Sequence, residues 1–208
     1  FSLDEYDMAY DFVEKALLYK KNDINIEALK GFILIGLNNV EDAKNTFNNI
    51  LKDNPNDINA KFGLAEIEIV QGRLSVASNI YKEILSIRPE NKKALLAMAL
   101  LEYQGRNPKN ASNYLKTALK FHGNDEVTSY FAAYINVLAE KYDVAEAYLD
   151  TALKIKNDYS DALSLLSYVL YEGERYFEVI KTADRQIAKN KKDGTSWYIK
   201  ALALLKLG

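Results

Sequence analysis

The chain has 208 residues, 49% of them hydrophobic and 27% charged, with only nine Gly and three Pro; this excludes a disordered chain and disfavours a β-rich fold. Its 27 basic and 29 acidic residues leave a formal charge of −2, which gives no attraction toward phosphate backbones and argues against a nucleic-acid partner. The lack of cysteine removes disulfides, thiolate metal sites and thiol catalysis, and no apolar run is long enough to cross a bilayer.

Taken in chain order, the residues read as amphipathic helices with apolar side chains at spacings of three, four and seven. The first residues, Phe1 to Asp7, lack the basic and apolar regions of a secretion signal. A helix over 2–20 carries Tyr6, Ala9, Val13 and Ala16 on one stripe. Helices then follow in pairs over 24–37 and 41–53, 58–71 and 75–87, 92–104 and 109–121, 126–139 and 143–156, and 160–172 and 177–189. A last one runs over 194–208. Asp57 is the expected N-cap of the 58–71 helix and Gly72 its left-handed terminator. Pro89 stops the 75–87 helix, and Pro108 fits a first helical turn, where its missing N–H costs nothing.

The landmarks recur every 34 residues with no insertion. One series is Ala9, Ala43, Ala77, Ala111, Ala145 and Val179; another is Gly31, Ala65, Ala99, Ala133, Ser167 and Ala201; Pro55 and Pro89 keep the same step. A strict period of this length marks stacked units, none of which buries its apolar face alone. The second helices carry Ala43, Phe47, Ile50 and Pro55; Ala77, Tyr81, Ile84 and Pro89; Ala111, Leu115 and Ala118; and Ala145, Leu149 and Ala152. At the C-terminal end, Trp197 and Ala201 stand four apart in a first helix.

On these residues the whole chain resembles the tetratricopeptide repeat, with W-x2-L-G-x2-Y in its first helix and Ala, Phe, Ala and then Pro in its second. The resemblance implies an all-α fold, a right-handed α-α superhelix of antiparallel helix pairs. It implies a single array: a second helix in 1–23, repeats at 24–57, 58–91, 92–125, 126–159 and 160–193, and a first helix in 194–208. An array that begins and stops mid-repeat is expected to be part of a longer one.

Departures from the pattern carry expectations of their own. Val179 and Gln186 replace a small and an apolar residue, so the pairing over 177–189 is expected to be looser or locally shifted. Glu68, Glu102 and Asn136 occupy the usual Tyr site of three consecutive first helices. Polar groups at such a half-buried site need partners, expected among neighbouring backbone groups or basic side chains such as Lys61.

The resemblance also implies where a partner binds, since first helices line the concave side of such arrays. Mapped onto this sequence, the partner-binding face holds Phe62, Glu66, Ile69, Lys93, Leu96, Leu100, Tyr103, Tyr130, Tyr134, Val137, Tyr168 and Tyr171. Apolar and tyrosine-rich, it suits a peptide or an amphipathic helix of another protein. The lysine and asparagine clamp with which some members hold acidic C-terminal tails is missing: its sites fall on Ala28, Phe32, Gly63, Lys93 and Ala97.

Nothing points to catalysis or a cofactor. His122 is the sole histidine and sits at a helix end, where a solvated or capping role is expected. Glu66 and Glu68 point to different sides of their helix, and there is no phosphate-binding Gly loop or metal-spaced cluster. The expected function is thus a non-catalytic scaffold for protein–protein interaction, with no membrane insertion in this chain. Two alternatives are a regulatory or substrate-docking array of a larger enzyme and a groove for a lipid or other small hydrophobic ligand. Tyr6, Val13 and Leu17 at one end, and Trp197, Leu204 and Leu205 at the other, are expected to be partly uncovered and to invite homo-association. Cytoplasmic and periplasmic locations are equally compatible with the sequence.

Overall fold

The computed structural model describes residues 3–208; the expected helix start at residue 2 lies outside them. The described residues form twelve α-helices: α1 (Leu3–Tyr19), α2 (Ile24–Gly36), α3 (Val40–Asp53), α4 (Ile58–Val70), α5 (Leu74–Ile87), α6 (Lys92–Gln104), α7 (Pro108–His122), α8 (Glu126–Leu138), α9 (Tyr142–Ile155), α10 (Ser160–Glu172), α11 (Tyr176–Lys189) and α12 (Gly194–Leu207). From α2 onward the even-numbered helices begin 34 residues apart, and so do the odd-numbered helices from α3 onward.

Local chemistry at both helix ends explains that regularity. Ahead of five even-numbered helices, Asp23, Asp57, Asn91, Asp125 and Asp193 accept hydrogen bonds from backbone N–H groups two or three residues on, meeting donors the helix itself leaves unpaired. Tyr159 holds the same register before α10 and has no side-chain cap bond. The even helices end in a left-handed residue, at Asn38, Gly72, Arg106, Glu140 and Glu174. The next N–H then reaches back to the carbonyl five residues earlier, as in Arg73 to Glu68 at 2.8 Å and Arg175 to Leu170 at 2.9 Å. This double-bonded stop reverses the chain in three residues. Arg88, just before Pro89, is extended, as the proline ring requires of its predecessor.

The chain divides within α6 into two compact units, Phe1–Leu101 and Glu102–Gly208. In the first, the fully buried Phe47 of α3 sits among Ala28, Leu34, Ile50, Ala60 and Ile67. A Cβ added at Gly31 or Gly63 would fall 2.5 Å or 2.1 Å from the tip of the Phe47 ring. The absent side chains on α2 and α4 thus make room for one phenylalanine, and close packing leaves no slack there.

In the second unit one core cluster is built on Ala133, Ala145, Leu149, Ala152 and Val169, and another on Leu170, Val179 and Ala203. The looser pairing expected over 177–189 is not found. Val179 is fully buried, α11 is continuous, and the buried Gln186 donates to Ser160 O at 3.2 Å and Ser164 Oγ at 3.0 Å. An amide that meets its partners holds a helix interface as an apolar side chain would, by a different interaction.

Candidate functional site: the first-helix faces

In the first unit, α2, α4 and α6 bring together Phe32, Phe62, Glu66 and Lys93. The Lys93 ammonium lies 4.7 Å from the Phe62 ring centroid and 5.6 Å from that of Phe32, and it donates to Glu66 Oε1 at 2.8 Å. The ring quadrupoles attract the cation while the carboxylate balances its charge. Ile69 is 38% exposed beside this group, and Leu100 is half-buried.

Phe62 and Leu96, expected on the binding face, are only 5% and 4% exposed. Each is a core residue: the Phe62 ring packs 5.8 Å from Tyr81, under the Lys93 side chain. Burial foremost, and then the Glu66 charge, push the Tyr81 phenol up to about 12, so it stays neutral across physiological pH.

In the second unit, Tyr130 is the hub. Its ring stacks on Tyr134 at 6.4 Å and meets Tyr159 at 5.4 Å and the edge of Phe131 at 5.7 Å. Tyr168, 41% exposed, lies 6.4 Å from Tyr142, and Tyr171 lies 5.6 Å from Tyr176. The Tyr103 hydroxyl donates to the Leu138 carbonyl. Val137, also expected on this face, is buried at 9% exposure within the α8–α9–α10 core.

Carboxylates stand near this cluster, and Lys156 Nζ lies 5.4 Å from the Tyr159 ring centroid. Burial, then Asp161 and Tyr134, raise the Tyr130 phenol; burial, then Asp161, Tyr130, Glu126 and Asp125, push Tyr159 up to about 12. Tyr142 is likewise raised to about 12, chiefly through its hydrogen bond with Tyr168. Helices α8 and α10 carry Glu126, Asp161 and Glu172 and neither Lys nor Arg.

Sequence reasoning missed Phe32, Tyr142, Tyr159 and Tyr176 as members of these groups. For Tyr159 a signal existed: it breaks a series of Asp and Asn caps. The half-buried polar row does find partners, though not Lys61, which pairs with Glu83 at 2.5 Å. Glu68 receives the Arg73 guanidinium, Glu102 accepts from Asn110 at 3.3 Å, and Asn136 donates to the Ala132 carbonyl at 2.8 Å.

Of the terminal residues, Trp197, Leu204 and Leu205 are 48%, 50% and 79% exposed, whereas Val13 is buried, contrary to expectation. Val13 lines a groove of about 570 Å³ between α1 and α2 together with Glu5, Tyr6, Ala9, Phe12, Leu29 and Ile33. Among the described residues there is no cluster of metal-ligating side chains, and no helix is long and apolar enough to cross a membrane.

Residues 31–92 match the family model of the tetratricopeptide repeat. No curated protein matches the sequence. Among solved structures the chain is similar to the APC/C hetero-tetramer Cut9–Hcn1, with a TM-score of 0.78 at 14% identity over 97% of this chain. It spans 40% of that longer chain. It is also similar to TTC0263, a thermophilic tetratricopeptide protein of Thermus thermophilus, with a TM-score of 0.72 at 22% identity, covering 88% of this chain and 99% of that one. A third is YrrB, a tetratricopeptide protein with an unusual peptide-binding site, with a TM-score of 0.59 at 17% identity, covering 91% of this chain and 97% of that one. The shared fold is the all-α solenoid of helix pairs.

Proposed function

This chain is a tetratricopeptide-repeat protein, and we propose from that premise that it is a non-catalytic scaffold holding a peptide or an amphipathic helix of another protein against its first helices. In this reading the repeats are 24–57, 58–91, 92–125, 126–159 and 160–193. The observation that carries it is the tyrosine cluster of α8 and α10, where Tyr130, Tyr134 and Tyr159 meet ring to ring and remain partly open to solvent. Tyrosine offers a large, rigid contact with a hydroxyl at its edge, a composition enriched where proteins bind one another. YrrB, similar in fold, is described as having a peptide-binding site.

The test is selection of a random peptide display library on the chain, repeated with Tyr130→Ser, Tyr134→Ser and Tyr168→Ser combined. Peptides enriched on the parent and lost on the variant, with helix content unchanged by circular dichroism, are the expected result. Equal enrichment on both would remove the tyrosines from the binding face. A second reading, association between copies, is favoured by the exposed Trp197, Leu204 and Leu205 and by the apolar α1–α2 groove. Light scattering would show mass rising with concentration; a constant monomer mass would dismiss it.

A further inference from the structure

Resting on the docking role just described, we infer that the tyrosine face of α8 and α10 selects a partner segment bearing Lys or Arg side chains over a neutral or acidic one. Three observations converge. First, the rings of Tyr134 and Tyr159 both lie within 6.4 Å of Tyr130, centroid to centroid, which presents several electron-rich π surfaces in one place. A cation above such rings is attracted by their quadrupoles. Second, the only charged side chains on the two helices are Glu126, Asp161 and Glu172, and no basic residue on either neutralises them. An ammonium or guanidinium approaching the rings therefore meets carboxylates of opposite sign, whereas an acidic segment meets repulsion.

Third, the protein already seats cations on rings of this kind. Lys156 Nζ lies 5.4 Å from the Tyr159 centroid, and in the first unit Lys93 combines two rings with the Glu66 carboxylate. That Lys93 arrangement shows within the chain what a partner's lysine would find beside Tyr130. Within that cluster Lys156 already lies over Tyr159, so a partner's cation is directed to the rings of Tyr130 and Tyr134. The opposition of Asp161 and Glu126 to ionisation of Tyr159 agrees with their nearness to the rings. Burial of the apolar stem of a Lys or Arg against the rings adds contact that a small cation would not supply.

The test uses the full chain and labelled Gly-Leu-Lys repeat peptides, with Gly-Leu-Gln and Gly-Leu-Glu counterparts, followed by fluorescence anisotropy. The Lys peptide is expected to bind about tenfold tighter than the Gln peptide and tighter still than the Glu peptide, with the gap narrowing as salt is added. Combined Glu126→Gln and Asp161→Asn should narrow the gap to the part the rings supply, while Tyr130→Leu should weaken all three peptides. Equal binding of the Lys, Gln and Glu peptides that is lost in Tyr130→Leu overturns the charge preference and leaves the docking role standing. No binding by any peptide overturns both. A Lys preference undiminished by the Gln and Asn substitutions places the cation elsewhere and also overturns the inference.

Discussion

The Ser196 hydroxyl donates to the Gln186 amide oxygen at 3.0 Å, tying α12 to α11 at a position where earlier second helices carry Ile50, Ile84, Ala118 and Ala152. The same amide nitrogen reaches Ser160 O and Ser164 Oγ on α10, so one side chain spans three helices. Gln186→Leu keeps the bulk and removes every bond. It leaves Ser196 with only Asp193 at 2.6 Å and should cost about 1–2 kcal/mol in urea unfolding. In the Gln186→Leu background Ser196→Ala no longer breaks the bond to Gln186 and should cost less than it does in the parent. Strict additivity of the two substitutions would mean that the bond carries no coupling.

The positions of the helices were legible in the sequence, because cap, stop and small residue all repeat at one step; the observed boundaries depart from the periodic reading by at most one residue. The binding face was legible only in outline. Phe62, Leu96 and Val137 fall on the binding face when the family resemblance is mapped onto this sequence, yet each is buried in the structure. The partner of Glu68 was missed as well. Helical spacing brings together residues three or four apart, whereas the left-handed stop at Gly72 folds Arg73 back onto a carboxylate five residues away.

The left-handed stops offer a second test. Arg106, Glu140 and Glu174 hold φ values of 60°, 57° and 57°, where Gly72 holds 73°. An L side chain in that region is strained by its own Cβ, by about 1 kcal/mol, whereas glycine is not. Glu140→Gly and Glu174→Gly should therefore each stabilise the chain by roughly 0.5–1 kcal/mol. Gly72→Ala should destabilise it although a Cβ there meets no neighbour. Thermal unfolding of the three variants checks the signs, and a lower midpoint for both glycine variants would refute the argument.

Acid should weaken the first unit through Glu68. Its buried carboxylate takes bonds from the Arg73 guanidinium, which holds it below the usual carboxylate range, with the Arg73 and Lys44 charges adding to the effect. A folded value below the unfolded one means the contribution is present above the ordinary glutamate range and is lost as pH falls through the folded value. Glu68→Gln should lower stability at neutral pH and flatten the decline on acidification. Unfolding followed by circular dichroism across the acid range reads both, and an unchanged acid limb would assign the decline to other carboxylates.

Tyr159 separates stability from binding. In its register every other residue is Asp or Asn and caps the following helix, whereas Tyr159 gives up the cap and places its ring 5.4 Å from Tyr130. Tyr159→Asn should restore the cap, worth about 1 kcal/mol, and forfeit an aromatic pair worth roughly 0.5–1.5 kcal/mol, so the unfolding midpoint should barely move. Affinity for a captured peptide should nonetheless fall, because one wall of the ring cluster is gone. Tyr159→Phe keeps the ring and should retain affinity. If the Asn variant binds as the parent does, the missing cap has no functional counterpart, and the docking surface is confined to Tyr130, Tyr134 and the α10 tyrosines.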